Sequence, residues 1–141
     1  MDPKIEKYIL VQADGRQALL RAIHTIIIDE DKTVVAVVEP MMGKEMIIYK
    51  GKGLMKYGLA GGKNYMSLHV MPIYGSEKLY AKYKAVLNRA SFQKGCINFD
   101  NAEQMPVAIV RQLMADCAKV DLLKIKEDFL KNRKVKGKPK D

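Results

Sequence analysis

Residues 54–72 constrain the fold most. Leu54-Met55-Lys56-Tyr57-Gly58-Leu59-Ala60 runs into Gly61-Gly62-Lys63-Asn64 and returns as Tyr65-Met66-Ser67-Leu68-His69-Val70-Met71-Pro72. Two strand-like runs joined by a short glycine-rich connection specify a β-hairpin. Alternation along the second run sets Tyr65, Ser67, His69 and Met71 on one face and Met66, Leu68 and Val70 on the other. The second set reads as the core face, and it needs a covering layer.

The flanking sequence supplies helices. Ile5, Tyr8 and Ile9 share one face of a short helical segment over residues 3–9. Asp14-Gly15-Arg16-Gln17 has the spacing of a capping box, and Leu19, Leu20, Ile23, Ile26 and Ile27 recur behind it at helical intervals. This predicts a helix over 15–28. Residues 33–38 are rich in β-branched valine and fit a strand or a buried helical turn, with Pro40 expected to end either. A strand over 45–49 follows the Gly43 turn. Ser76 caps a helix over 77–88 whose stripe is Leu79, Tyr80, Tyr83, Val86 and Leu87. Residues 96–99 form a short strand. Pro106 opens a helix carrying Val107, Val110, Leu113, Met114 and Cys117, and Leu122, Ile125, Phe129 and Leu130 extend the pattern. The expected fold is α+β: an antiparallel sheet of about four to five strands covered by N-terminal and C-terminal helices, in a single domain over 1–130.

The charge of +9 is uneven. Residues 131–141 hold Lys131, Arg133, Lys134, Lys136, Lys138 and Lys140 against one acidic residue, and are expected to form a loose basic tail. Such a tail suits nucleic acid or simply a solvated end. Tyr49, Tyr57, Tyr65 and Tyr74 interleave with Lys50, Lys52, Lys56 and Lys63. That pattern fits base stacking with phosphate tracking, or an ordinary strand surface. No apolar run is long enough to span a membrane, and Met1-Asp2-Pro3-Lys4 does not resemble a secretory leader. With two cysteines and no disulfide framework, a cytoplasmic setting with reduced thiols is expected.

Two motifs carry a resemblance. Residues 63–72, with Lys63-Asn64 and Ser67-Leu68-His69, and Lys94-Gly95-Cys96-Ile97-Asn98-Phe99 are similar to the YdhG-like family. These are small bacterial domains of largely unknown function. The likeness covers about residues 15–119. It implies a sheet packed by helices from both ends of the chain, with the outline of frataxin, and iron binding by analogy with one member described as an iron chaperone. Iron of that kind takes oxygen ligands. The dense acidic group here is Asp29-Glu30-Asp31. Neighbouring helical residues diverge, so at most two of them could share an ion.

His69 and Cys96 form the pair with most chemistry, as metal ligands or as a nucleophile and its base. Cysteine in an apolar strand also serves as a small hydrophobe. The nine methionines suit core filling or an adaptable binding surface. No phosphate loop or dinucleotide fingerprint is present, and no cofactor is evident. The sequence therefore predicts a non-enzymatic small binding or carrier module with a face built from Tyr49, Tyr57, Tyr65, His69 and Cys96. Weak nucleic-acid association is one alternative. A homodimer formed through a sheet edge or residues 122–130 is another.

Overall fold

The structure is a computed structural model that describes the backbone of residues 1–137 and side chains through Lys131. The chain runs α1 (Pro3–Leu10), α2 (Asp14–Glu30), β1 (Val35–Met41), β2 (Lys44–Gly51), β3 (Leu54–Gly61), β4 (Met66–Val70), α3 (Met71–Tyr74), α4 (Glu77–Val86), β5 (Ser91–Gln93), β6 (Cys96–Phe99), α5 (Val107–Ala118) and α6 (Leu122–Gly137). The strands form one antiparallel sheet in the order β1-β2-β3-β4-β6-β5. The α+β class holds. The sheet has six strands because residues 91–93 add a three-residue edge beside β6.

The alternation read from the sequence sets the layering. Ile47, Tyr49, Tyr57, Leu59, Met66, Leu68, Val70, Ile97 and Phe99 point to one side of the sheet. There they meet Leu20, Ile23 and Ile27 of α2 and Val110, Leu113, Met114 and Cys117 of α5. Ile9 of α1 and Tyr83 of α4 close the same core. These side chains are essentially removed from water, each large one contributing about 1.5–3 kcal/mol. The helices leave the opposite face of the sheet uncovered over β3, β4 and β6.

Several local expectations change. Asp14 is not an N-cap: α2 starts at Asp14, the N-cap is Ala13, and Gln17 reaches back to the carbonyls of Gln12 and Leu10. Pro40 does not end a strand. It lies within β1, opposite Glu45, and β1 is an edge strand, where a missing N–H is tolerated. Met71 leaves the sheet because Pro72 opens α3. Residues 131–137, expected to be loose, continue α6 as helix, and 138–141 lie outside the described residues.

Two hairpins are closed by two-residue turns at positive φ, Met42-Gly43 (52° and 83°) and Lys52-Gly53 (53° and 77°). This is the turn hand that matches strand twist. Between β2 and β3 the register slips: Tyr49 pairs with Tyr57, but Lys50 pairs with Met55. Lys56 is the extra residue of a β-bulge, so its side chain turns toward the covered side along with that of Tyr57.

Candidate functional site

The uncovered face holds a groove of about 690 Å³. Its floor is built from the outward residues of the central strands: Met46 on β2, Ala60 on β3, Ser67 and His69 on β4, Cys96 and Asn98 on β6. Solvent-facing strand positions usually carry long polar or β-branched side chains. Here Ala60, Ser67, Cys96 and Asn98 are short, and the shortness makes the depression. The walls come from the β1–β2 hairpin tip (Met41, Met42, Lys44), the β3–β4 turn (Lys63, Asn64, Tyr65) and the end of α1 (Tyr8, Gln12). The turn is pinned to the helices. The Tyr8 hydroxyl accepts from the Gly61 N–H at 3.1 Å, and the Arg16 guanidinium donates to the Gly62 carbonyl. A second depression, of about 350 Å³, shares Tyr65, Gln93 and Asn98 and extends the groove toward Arg89.

Register brings the polar residues together. His69 pairs with Cys96, and Ser67 with Asn98, across β4 and β6. The Cys96 Sγ lies 3.8 Å from His69 Nε2 and donates to Asn98 Oδ1 at 3.3 Å. The Ser67 hydroxyl donates to the same Asn98 oxygen at 2.7 Å, and Asn98 Nδ2 faces Gln93 Oε1 at 3.4 Å. Burial lowers the pKa of His69 and raises that of the Cys96 thiol. At neutral pH the pair is therefore imidazole and thiol, not imidazolium and thiolate. The only side-chain partner of His69 among the described residues is Cys96.

The tyrosines divide. Tyr65 is exposed and lines the groove, whereas Tyr49 and Tyr57 face the core from the opposite side of the sheet and are fully buried. The expected face of Tyr49, Tyr57, Tyr65, His69 and Cys96 is thereby corrected to Tyr65, His69 and Cys96. Strand parity is the cause: Tyr57 sits opposite Val70, the core-facing neighbour of His69. The interleaved Lys/Tyr surface is also not assembled. Tyr49, Tyr57 and Lys56 are buried, Lys50 pairs with Glu39 at 2.8 Å, and Lys52 pairs with Asp121 at 2.9 Å.

The acidic trio is likewise dispersed. Asp29 is exposed, and Glu30 bonds Arg111 at 2.7 Å. Asp31 is buried and fully engaged. Its Oδ2 accepts from Tyr57 at 2.6 Å and from Lys56 at 2.8 Å, and its Oδ1 accepts from the Thr33 N–H at 3.0 Å and hydroxyl at 2.5 Å. Burial alone would raise its pKa, but the bonds from Lys56, Thr33 and Tyr57 outweigh burial and hold the carboxyl below its ordinary value. Among the described residues no three His, Cys, Asp or Glu side chains converge as metal ligands. Cys117 lies in the core, where burial pushes its thiol up to about 12.

Of the basic residues singled out for nucleic acid, Lys131 lies on α6, and Arg133, Lys134 and Lys136 fall on its backbone continuation. Lys138 is outside the described residues. Phe129 and Leu130 of α6 are exposed. Among the described residues, no helix is long and apolar enough to cross a membrane.

Sequence reasoning missed Ser67, Asn98, Gln93 and Met46 as members of the site. The signal lay in Cys96-Ile97-Asn98-Phe99, whose alternation puts Asn98 on the face of Cys96. No protein-family model, curated protein or solved structure matches the chain.

Proposed function

We propose that the protein is a small-ligand binding module whose site is the open-face groove. One observation carries this reading: the centre of a sheet face is floored by short side chains and presents Ser67, His69, Cys96 and Asn98 together in a recess of about 690 Å³. That volume falls within the range of small-molecule sites. The floor carries no formal charge, and the charged side chains stand at the rim, Lys44 and Lys63 against Glu45. A small polar organic molecule, neutral or singly anionic, suits such a lining. Hydrogen bonds to Ser67 and Asn98 would orient it, and Tyr65 and the rim methionines would cover it.

Binding fits this site better than catalysis does. A thiol kept protonated by burial is a weak nucleophile, and His69 lacks an orienting carboxylate among the described residues. Oxygen-ligated iron, which the YdhG-like resemblance suggests, finds little support in the acidic trio, since Asp31 is already saturated by four donors.

The test is ¹H–¹⁵N correlation spectroscopy of the full chain against a panel of nucleosides, sugars, amides and carboxylates, beside Ala60→Phe, which fills the floor. Shifts clustered on Ser67, His69 and Asn98 that vanish in the variant are expected. Shifts absent from the panel, or unchanged by Ala60→Phe, would count against the groove.

A further inference from the structure

The polar floor runs past the main recess to the sheet edge. On the open face, His69, Cys96 and Gln93 lie in one row across β4, β6 and β5, and Ser67, Asn98 and Ser91 lie in the next. Tyr65, Gln93 and Asn98 line both the large recess and the smaller depression beside it, so the two meet at these three side chains.

Hydrogen-bond directions fix what this junction offers. An amide oxygen has two lone pairs. Both lone pairs of Asn98 Oδ1 are taken, one by the Ser67 hydroxyl at 2.7 Å and one by the Cys96 thiol at 3.3 Å. The amide is thereby oriented with Nδ2 toward Gln93 Oε1, at 3.4 Å. That contact spends the Gln93 oxygen and leaves Gln93 Nε2 as the unspent end. Asn98 is only 8% exposed. One of its two amide protons has no partner among the described residues, and neither proton of Gln93 Nε2 has one. The junction presents N–H donors from two adjacent strands, and it selects a ligand that brings acceptors.

Charge narrows the kind of acceptor. The two linings together hold Lys44, Lys63 and Arg89 against Glu45 and Asp100, an excess of one positive charge. His69 adds none at neutral pH, because burial lowers its pKa. Arg89 is held only by Glu103 at 3.5 Å, with both side chains mostly exposed. An ion pair of that kind contributes little, so the guanidinium is available to an anion. The far side of the large recess is apolar in character: Met41, Met42 and Met46 line it, and methionine makes an adaptable wall.

We propose that the groove binds a small monocarboxylic acid, with its carboxylate at the Asn98–Gln93 junction on the Arg89 side and its apolar body against the methionines. The proposal rests on the reading of the groove as a binding site and names the class of ligand. Binding is non-covalent. The carboxylate oxygens accept from Asn98 Nδ2 and Gln93 Nε2 in charge-assisted bonds, and one negative charge balances the excess of the lining.

The experiment is titration of the ¹⁵N-labelled full chain at neutral pH with octanoate, octanamide and hexyl phosphate, read at the side-chain amide signals as well as the backbone. Octanoate should shift the Asn98 and Gln93 amide signals. Octanamide, which has the same chain without the charge, should bind roughly tenfold more weakly. Hexyl phosphate, a dianion, should also bind more weakly than octanoate. Gln93→Glu, at an exposed position, replaces a donor by a carboxylate and should weaken octanoate by at least roughly tenfold while leaving octanamide little changed. Arg89→Gln should weaken octanoate by up to about fivefold. Urea midpoints report whether each variant still folds, and Arg89→Gln keeps the test open if Gln93→Glu does not. Octanamide bound as tightly as octanoate, hexyl phosphate bound more tightly, octanoate retained in full by the folded variants, or octanoate shifts confined to residues outside the groove would overturn the carboxylate site. If octanoate is not bound while other members of the polar panel still shift groove resonances, this proposal fails and the groove reading survives. If no compound shifts the groove, both fail.

Discussion

On the covered side of the sheet, Asp31, Lys56, Tyr57 and Thr33 form a network in which every carboxylate bond is made. On the open side, Ser67 and Cys96 donate to the one Asn98 amide oxygen at 2.7 and 3.3 Å, and His69 Nε2 lies 3.8 Å from the Cys96 sulfur. The first set joins β3 to the segment between α2 and β1, and the second lies on β4 and β6 beside β3 in the same sheet. They differ in what surrounds them. A buried charge that lacks a partner is costly, so the covered side accepts a carboxylate and an ammonium only as a saturated pair. The open side has water as an alternative partner and can leave its polar atoms loosely held. Loosely held donors and acceptors in a recess are available to a ligand; saturated ones are not. This contrast separates Asp31, whose role is to hold the bulge of β3 against the end of α2, from His69 and Cys96, which have capacity to spare.

The contrast predicts a graded series. The largest effect is expected from Lys56→Met, which leaves the Asp31 carboxylate buried beside an apolar chain and should cost about 3–5 kcal/mol. Adding Asp31→Asn should recover part of that loss, because it removes the stranded charge. Urea unfolding of the single and double variants measures both, and a loss under about 1 kcal/mol for Lys56→Met would mean that the pair behaves as a surface bridge.

A pH effect comes next. The folded Asp31 has a pKa below its ordinary 3.8, so the unfolded chain takes up the proton first. The stability it contributes is complete above 3.8 and drains away as pH falls through the lowered folded value. Urea midpoints recorded down the acid range should therefore fall more steeply for the wild type than for Asp31→Asn. Parallel curves would break the argument.

Tyr49→Phe should cost about 1–3 kcal/mol, since the buried His24 Nδ1 loses its partner at 2.7 Å. The smallest effect belongs to the open face. Ser67→Ala should change stability by less than about 1 kcal/mol, because Asn98 keeps its contacts with Cys96 and Gln93. Its effect should appear in ligand shifts at the groove instead. A destabilisation as large as that of Lys56→Met would show that the open-face cluster is structural and erase the distinction between the faces.

Much of the fold was legible from periodicity. The hairpin of β3 and β4, the core parity of Met66, Leu68 and Val70, the apolar stripes of α2 and α5, and the Ser76 cap with its bond to the Leu79 N–H all follow from local pattern. Parity also separates Tyr65 and His69 from Leu68. It was less useful for Tyr49 and Tyr57, because side-chain type suggested a surface where strand register dictated burial. Lys56 could not be read at all. Its burial depends on one extra residue between Tyr49 and Lys50 pairings, and a bulge leaves no mark in composition.

The sequence by itself determined the main helices, the β3–β4 hairpin and which side of β4 faces the core, but it left residues 33–38 open between strand and helix and did not mark β5 or the helical course of residues 131–137. The features it determined are consequences of side-chain spacing along one chain, and spacing is a local property. It also put a cysteine, a histidine and several methionines near the sheet. Only the tertiary structure decided that Cys96 meets His69, that Asp31 is spent on Lys56 and Tyr57, and that the helices leave one face of the sheet uncovered. Each of those depends on which strands lie side by side and which layer lies above them, and pairing across the chain is set by the packing of the whole core.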